Sequence, residues 1–202
     1  MTVFAAPINV KNTALTQIGG KPLVSETDTS AQARVLANVY ELIVQDALTV
    51  HAYHWAKKSA LLAKQEETEQ GRFVYALPAD CLNMRYITYH SPDGRIIDVE
   101  ETQEGLPILD WDDTFYLHYT WRVPEARWPA DFGAGIVMKL QAALKRGLLS
   151  DDAAAEALDE KGDKKLRRGM VRDKRQIRGR VLNPNPRMVD IFQGRRRHGS
   201  ST

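Results

Sequence analysis

The sequence predicts a mainly α-helical domain carrying a small antiparallel β-element, followed by an extended charged helix and a tail. Apolar residues recur at three- and four-residue steps from Leu36 to Val50 and again from Ile136 to Leu148, the period of a helix with one buried face. Between them, from about 57 to 122, apolar and polar residues alternate in short runs bounded by turn residues, the period of a strand. A third stretch, rich in acids and then in bases, has few apolar residues and reads as a solvated helix. The predicted organisation is a helical core over 1–150 with the β insertion at about 57–122, a charged helix over 151–180 and an extended tail over 181–202.

In chain order, INVKNTALTQI (8–18) forms a short helix stopped by Gly19 and Gly20, with Pro22 just beyond. Thr29 then offers an N-cap with Gln32 three residues later, and Leu36, Val39, Tyr40, Ile43, Ala47 and Val50 carry a long helix up to Trp55. Phe73, Tyr75 and Leu77 alternate before Pro78. Arg85–His90 and Arg95–Val99 flank the turn SPDG, where Asp93-Gly94 fits a tight hairpin. Phe115–Trp121 is a further strand, with Tyr116, His118 and Thr120 on one face and Leu117, Tyr119 and Trp121 on the other.

Residues 130–149 return to helical spacing through Ile136, Val137, Leu140, Ala143, Leu144 and Leu148, and Gly133 and Gly135 permit a close approach near the start. Ser150 can cap the next helix, in which Asp151, Asp152, Glu156, Asp159, Glu160 and Asp163 lead and the bases trail, an order that suits the helix dipole. Glu160 with Lys164 and Asp163 with Arg167 have the four-residue spacing of helical ion pairs. Gly162 and Gly169 weaken this helix by about 1 kcal/mol each relative to Ala. Its stripe of Leu166, Met170, Ile177 and Val181 is narrow, so a neighbouring subunit or partner is expected to complete it. After Arg180, Pro184 and Pro186 exclude helix, and the short patch Met188, Val189, Ile191 and Phe192 interrupts polar sequence; such a tail is expected to gain order on binding.

With 202 residues, 43% apolar and 27% charged, the chain supports one sizeable core and lies far from disordered compositions. The net charge of +2 predicts no partner, but its distribution is uneven: residues 1–149 hold 14 Lys/Arg against 18 Asp/Glu, and 150–202 hold 14 against 8. Cys81 is alone, so no intramolecular disulfide forms and production in the cytoplasm is the expectation. No apolar run approaches the roughly 20 residues that span a bilayer, so no membrane association is expected.

The search for chemistry yields little. Gly19-Gly20-Lys21-Pro22 lacks the spacing of a phosphate loop and places proline at the magnesium-binding hydroxyl position. Gly133 and Gly135 lack the third glycine of a dinucleotide site. His51 and His54 are three apart without a third ligand nearby, which favours core or interface histidines over a metal site. Asp110, Asp112 and Asp113 beside Trp111 read as a solvated loop rather than an acid-base pair, and Cys81 reads as a space-filling thiol. No cofactor is expected, and no enzyme. The basic stretch Lys164, Lys165, Arg167, Arg168, Arg172, Lys174, Arg175 and Arg178 suits either an acidic protein surface or duplex DNA; Phe132 is the only aromatic between 129 and 191, so platforms for stacking single strands are missing.

Taken together, three segments resemble one family. The run ALTQIGGKPLVSETDTSAQARVLANVYELIVQDALTVHAYHWAKKSALLA is similar to the opening of phage head-tail adaptors of the tail tubular protein A type and their long-tailed relatives. FVYALPADCLNMRYI matches an aromatic strand entering a Leu-Pro-Ala-Asp-Cys-Leu turn, and PEARWPADFGAGIVMKLQAALKRGLLSDDAAAEAL precedes a charged helix and arginine-bearing tail as in that family. The resemblance covers essentially 10–180, and this chain departs from it in an unusually arginine-rich end.

The resemblance implies a helical-bundle adaptor subunit, a structural virion protein made in the host cytoplasm and placed at the head-tail interface. It implies a homo-oligomeric ring, usually a dodecamer, bound to the portal protein above and to a stopper, tail-tube or nozzle protein below, with genomic double-stranded DNA in the lumen. Portal docking would then fall to Arg180, Val181, Leu182, Arg187, Met188, Val189, Ile191, Phe192, Arg195, Arg196 and Arg197, and the basic stretch would form an inter-subunit or lumen face. A basic DNA-binding module acting in packaging is the alternative expectation, and a wall hydrolase using Asp112 or Asp113 is a third.

Overall fold

The computed structural model describes residues 4–68 and 70–181, with side chains as far as Gln176. The first helix, α1 (Pro7–Gln17), begins with proline at its first turn, where the missing N–H costs nothing, and stops where Gly19 takes a φ of +78°. The second, α2 (Ala31–Val50), starts one residue later than the expected cap: Ser30 Oγ accepts from the Ala33 N–H at 3.3 Å, and the Asp28 carboxylate in turn accepts from the Ser30 N–H. It ends at Val50 rather than Trp55, and the chain leaves through an extended His51.

Eight strands follow: β1 (Lys57–Leu61), β2 (Ala63–Glu67), β3 (Phe73–Ala76), β4 (Cys81–Tyr89), β5 (Ile96–Ile97), β6 (Glu100–Glu101), β7 (Pro107–Leu109) and β8 (Phe115–Trp121). They pair antiparallel in two four-stranded sheets, in the orders β1-β8-β4-β5 and β2-β3-β7-β6. The expectation of a mainly helical domain with a small β-element is therefore corrected: this is an α+β fold. The missed strands have a physical signature. β1 (KKSAL) and β2 (AKQEE) are mostly charged or small and exposed, so their strand state comes from partners rather than from alternation, and β7 opens on Pro107.

β1 and β2 are one run of chain broken only at Leu62, and β5 and β6 are separated only by Asp98 and Val99. Both flanking positions of the sheets are thus held by chain that passes from the first sheet into the second. Leu62, Tyr75, Ile87, Leu109, Phe115, Leu117 and Tyr119 fill the space between the sheets. The expected hairpin joins β4 to β5, but its loop is wider than a two-residue turn: His90 has a φ of 62°, and a Cβ on Gly94 would lie 2.0 Å from the Tyr89 carbonyl oxygen.

Two long helices complete the fold, α3 (Ala130–Leu149) and α4 (Asp152–Val181). Ser150, expected to cap α4, instead adopts a left-handed conformation (φ 48°) that ends α3, and Asp151 Oδ1 accepts from the Ala154 N–H at 3.1 Å. α3 is the centre of the helical layer: Phe132, Ile136, Leu140 and Leu144 are buried among α1, α2 and α4. Each such side chain contributes about 1.5–3 kcal/mol on burial. α2 rests on the first sheet through β4 and β8, so the second sheet lies on the side away from the helices. Among the described residues no helix is long and apolar enough to cross a membrane. The expected docking residues Leu182, Arg187, Met188, Val189, Ile191, Phe192, Arg195, Arg196 and Arg197 lie outside the described residues, as do the side chains of Arg178, Arg180 and Val181.

Candidate functional site

α4 is the element to which the sequence assigned function, and its seat on α3 is made by small residues. A Cβ on Gly135 would lie 2.7 Å from Leu166, one on Gly162 would lie 3.2 Å from the Gly135 carbonyl oxygen, and one on Gly169 would lie 3.3 Å from Asp131 Cβ. The two glycines of α4 that looked like weak points are therefore where the helices touch. Ala155, Gly162 and Leu166 are buried, so α4 packs along its own domain more closely than its narrow apolar stripe suggested. Apolar counting failed because glycine buries backbone without adding an apolar side chain.

Three polar ties fix the register. The Tyr53 hydroxyl, fully buried, donates to the Leu166 carbonyl at 3.1 Å. Asp131, in the first turn of α3, accepts from Arg172 at 2.7 Å and from Lys165 at 3.3 Å. Lys139 reaches back to Asp159 at 3.1 Å and Asp163 at 2.7 Å, and although burial opposes its charge, these two carboxylates hold its ammonium above the ordinary range. Asp163 is thereby paired with α3 rather than with Arg167, while the expected Glu160–Lys164 pair forms at 2.7 Å.

The basic stretch is accordingly divided. Lys165 and Arg172 hold α4 to α3, and Lys164 pairs with Glu160 along the helix. Arg167, Arg168, Lys174 and Arg175 are exposed, and among the described residues none of them has a carboxylate within 4.0 Å. Beyond Arg172 the helix runs on to Val181, past the start of α3. Sequence reasoning missed Asp131 and Asp173, which accepts from the His54 backbone N–H. An acid in the first turn of α3, after Pro129, was the available signal.

The remaining candidates are structural. His51 packs edge-on against Tyr53, and burial followed by the Arg167 charge pushes its imidazole below the ordinary range. No group of three His, Cys, Asp or Glu among the described residues gathers in metal-binding geometry. Asp110, Asp112 and Asp113 are each engaged across the sheets. Asp110 accepts from Arg72 at 2.8 Å, Asp112 from Lys64 at 2.7 Å and from the Tyr75 hydroxyl at 3.2 Å, and Asp113 from the Tyr89 hydroxyl at 2.6 Å. The Lys64 bond holds the Asp112 carboxyl below its ordinary range, and the Tyr89 bond does the same for Asp113. Cys81 is half-buried on β4 beside Trp121, and burial raises its thiol. Gly133 is held against the Phe4 ring, where a Cβ would lie at 2.2 Å, so Gly133 and Gly135 both serve packing.

A second surface opens between the helices: a groove of about 430 Å³ lined by apolar residues of α2 and α3, among them Val39, Leu42, Ile43 and Ala142, and by the charged Asp46, Lys139, Arg146 and Asp159. Leu42 there is 70% exposed. No protein-family model matches this chain, and no curated protein matches it in sequence.

Proposed function

We propose that this chain is a non-enzymatic structural subunit of a phage head-tail connector, an adaptor that assembles as a ring, docks on the portal and joins it to a stopper or tail-tube protein, with genomic duplex in the lumen. The observation that carries the reading is the sequence of three segments, 14–63, 73–87 and 124–158, each similar to the head-tail adaptor family and arranged in that family's order. The α3–α4 hairpin supports it. A helix clamped by glycine contacts and by Asp131 is a stiff carrier for a basic end, and it leads straight into the arginine-bearing segment 181–202.

The docking partner is an acidic portal surface. Basic residues attract it over a Debye length of about 8 Å and set encounter and register more than final affinity. Many copies in one ring then add avidity to a modest single contact. Electron microscopy of the purified chain mixed with its cognate portal tests this: a stacked ring below the portal is expected, and absence of any association overturns it. Deleting 181–202 should abolish portal binding, and unchanged binding would remove the docking role of that segment.

A second reading draws on the exposed Arg167, Arg168, Lys174 and Arg175: a basic module that grips duplex DNA during packaging. Tight binding of duplex by the isolated chain at physiological salt would favour it.

A further inference from the structure

The groove between α2 and α3 is an apolar surface that nothing covers among the described residues. Leu42 is 70% exposed beside the half-buried Val39 and Ile43, and the small Ala142 and Ala143 of α3 leave about 430 Å³ open next to them. Its charges are mostly engaged: Lys139 and Asp159 pair with each other at 3.1 Å, and Arg146 lies 3.9 Å from Asp152. Asp46, one turn along α2 from Leu42, has no cation within 4.0 Å among the described residues.

A matching occupant is written in the chain's own sequence, beyond the described residues. Pro186 cannot continue α4 but suits the first turn of a new helix, with Asn185 as its N-cap and Gly194 as its stop. Within 186–193, Met188, Ile191 and Phe192 stand at i, i+3 and i+4, the anchor spacing of a helix that lays one face into a groove, and Arg187 flanks that face. A helix this short draws its stability from packing rather than propensity.

We infer that segment 186–193 of one copy of this chain docks as a short helix in the α2–α3 groove of a neighbouring copy, with Met188, Ile191 and Phe192 against Leu42 and Ile43 and with Arg187 beside Asp46. Reach makes the contact one between copies. Val181 lies 22 residues beyond Asp159 on α4, about 33 Å along the helix axis, whereas the seven residues from Val181 to Met188 span at most about 25 Å fully extended. Groove and segment are different surfaces, so each copy keeps one of each free and the contact propagates head to tail until it closes. Closure into a ring, with Arg195, Arg196 and Arg197 left to meet the portal, rests on the adaptor function proposed above; the pairwise contact rests on the groove and the segment.

Two variants of the full chain test it, Leu42→Lys in the groove and Phe192→Asp in the segment. In sedimentation velocity the parent should form multimers at sub-millimolar concentration, and each variant should run as a monomer. An equal mixture should give one-to-one dimers and nothing larger, because one chain keeps its segment and the other its groove. Circular dichroism checks that both variants fold, and Leu42→Ala reads the same contact by a milder change. In a Cys81→Ser background, a short bis-maleimide should join Asp46→Cys on one chain to Arg187→Cys on another, and should not join the 92% exposed Val24→Cys in its place. A monomeric parent, a variant that associates like the parent, a mixture that stays monomeric or a missing cross-link overturns the inference; loss confined to Phe192→Asp sends the segment to another surface and overturns it too. Portal binding is scored separately: multimers that ignore the portal sink the adaptor function alone, and portal-bound rings unchanged by both substitutions sink this contact alone.

Discussion

The Tyr53 hydroxyl donates to the Leu166 carbonyl oxygen at 3.1 Å, joining the segment that leaves α2 to the middle of α4. Tyr53 is fully buried against Trp55 and Phe132, so the hydroxyl has no solvent to fall back on. Tyr53→Phe should cost about 1 kcal/mol in urea unfolding. Faster amide exchange in α4 than in α2 of that variant would place the loss at this tie.

Gly135 sets the distance between α3 and α4. Gly135→Ala should destabilise the chain by about 1–3 kcal/mol, because a Cβ 2.7 Å from Leu166 overpacks the contact by more than the roughly 1 kcal/mol gained in helix propensity. Combining it with Leu166→Ala should cost less than the sum of the two single changes, as read from chemical denaturation of all three variants.

Glu125 is buried with Arg122 at 2.6 Å and the Tyr40 hydroxyl at 3.0 Å, and Arg122 also reaches Glu41 at 2.8 Å. Arg122→Met strands the buried carboxylate and should cost about 3 kcal/mol or more in equilibrium unfolding. Adding Glu125→Gln should recover part of that loss, since an amide is cheaper to bury than a charge.

His118 is buried on β8, stacked 4.4 Å from Tyr86 and bonded through Nε2 to Thr88. Burial, and then the Lys57 charge, hold its imidazole below the usual 6.5. Protonation therefore favours the unfolded chain: the stability contributed is complete above the unfolded value and falls as pH drops through the folded one. Melting temperature should decline between about pH 7 and 5, and His118→Gln should flatten that decline.

The helical layer was legible because α2 and α3 each bury one face against a layer of other helices, and burial on one side writes its period into the sequence. β8 was legible for a similar reason, and both of its faces proved to be covered. β1 and β2 left no such trace: their pairing with β8 and β3 is decided by residues far away in the chain, and their own side chains stay largely in water. The docking of α4 was hidden for a different reason. Gly135, Gly162 and Gly169 act by what they lack, and a gap has no hydrophobic signature. The basic character of α4 could be read directly, but its division into cations that hold the fold and cations exposed on its surface depended on Asp131, whose partners lie 34 and 41 residues away.

The strands that turn from one sheet into the other have a consequence for crowding. A strand whose backbone donors and acceptors stand open can recruit a strand from any neighbour, and a structure that gathers many copies in a small space invites such recruitment. Among the described residues no open margin runs longer than the five residues of β1 or β2, and Lys57, Lys58, Lys64, Glu66 and Glu67 guard those margins with charge. Copies of this chain can thus be packed side by side without zipping their backbones together.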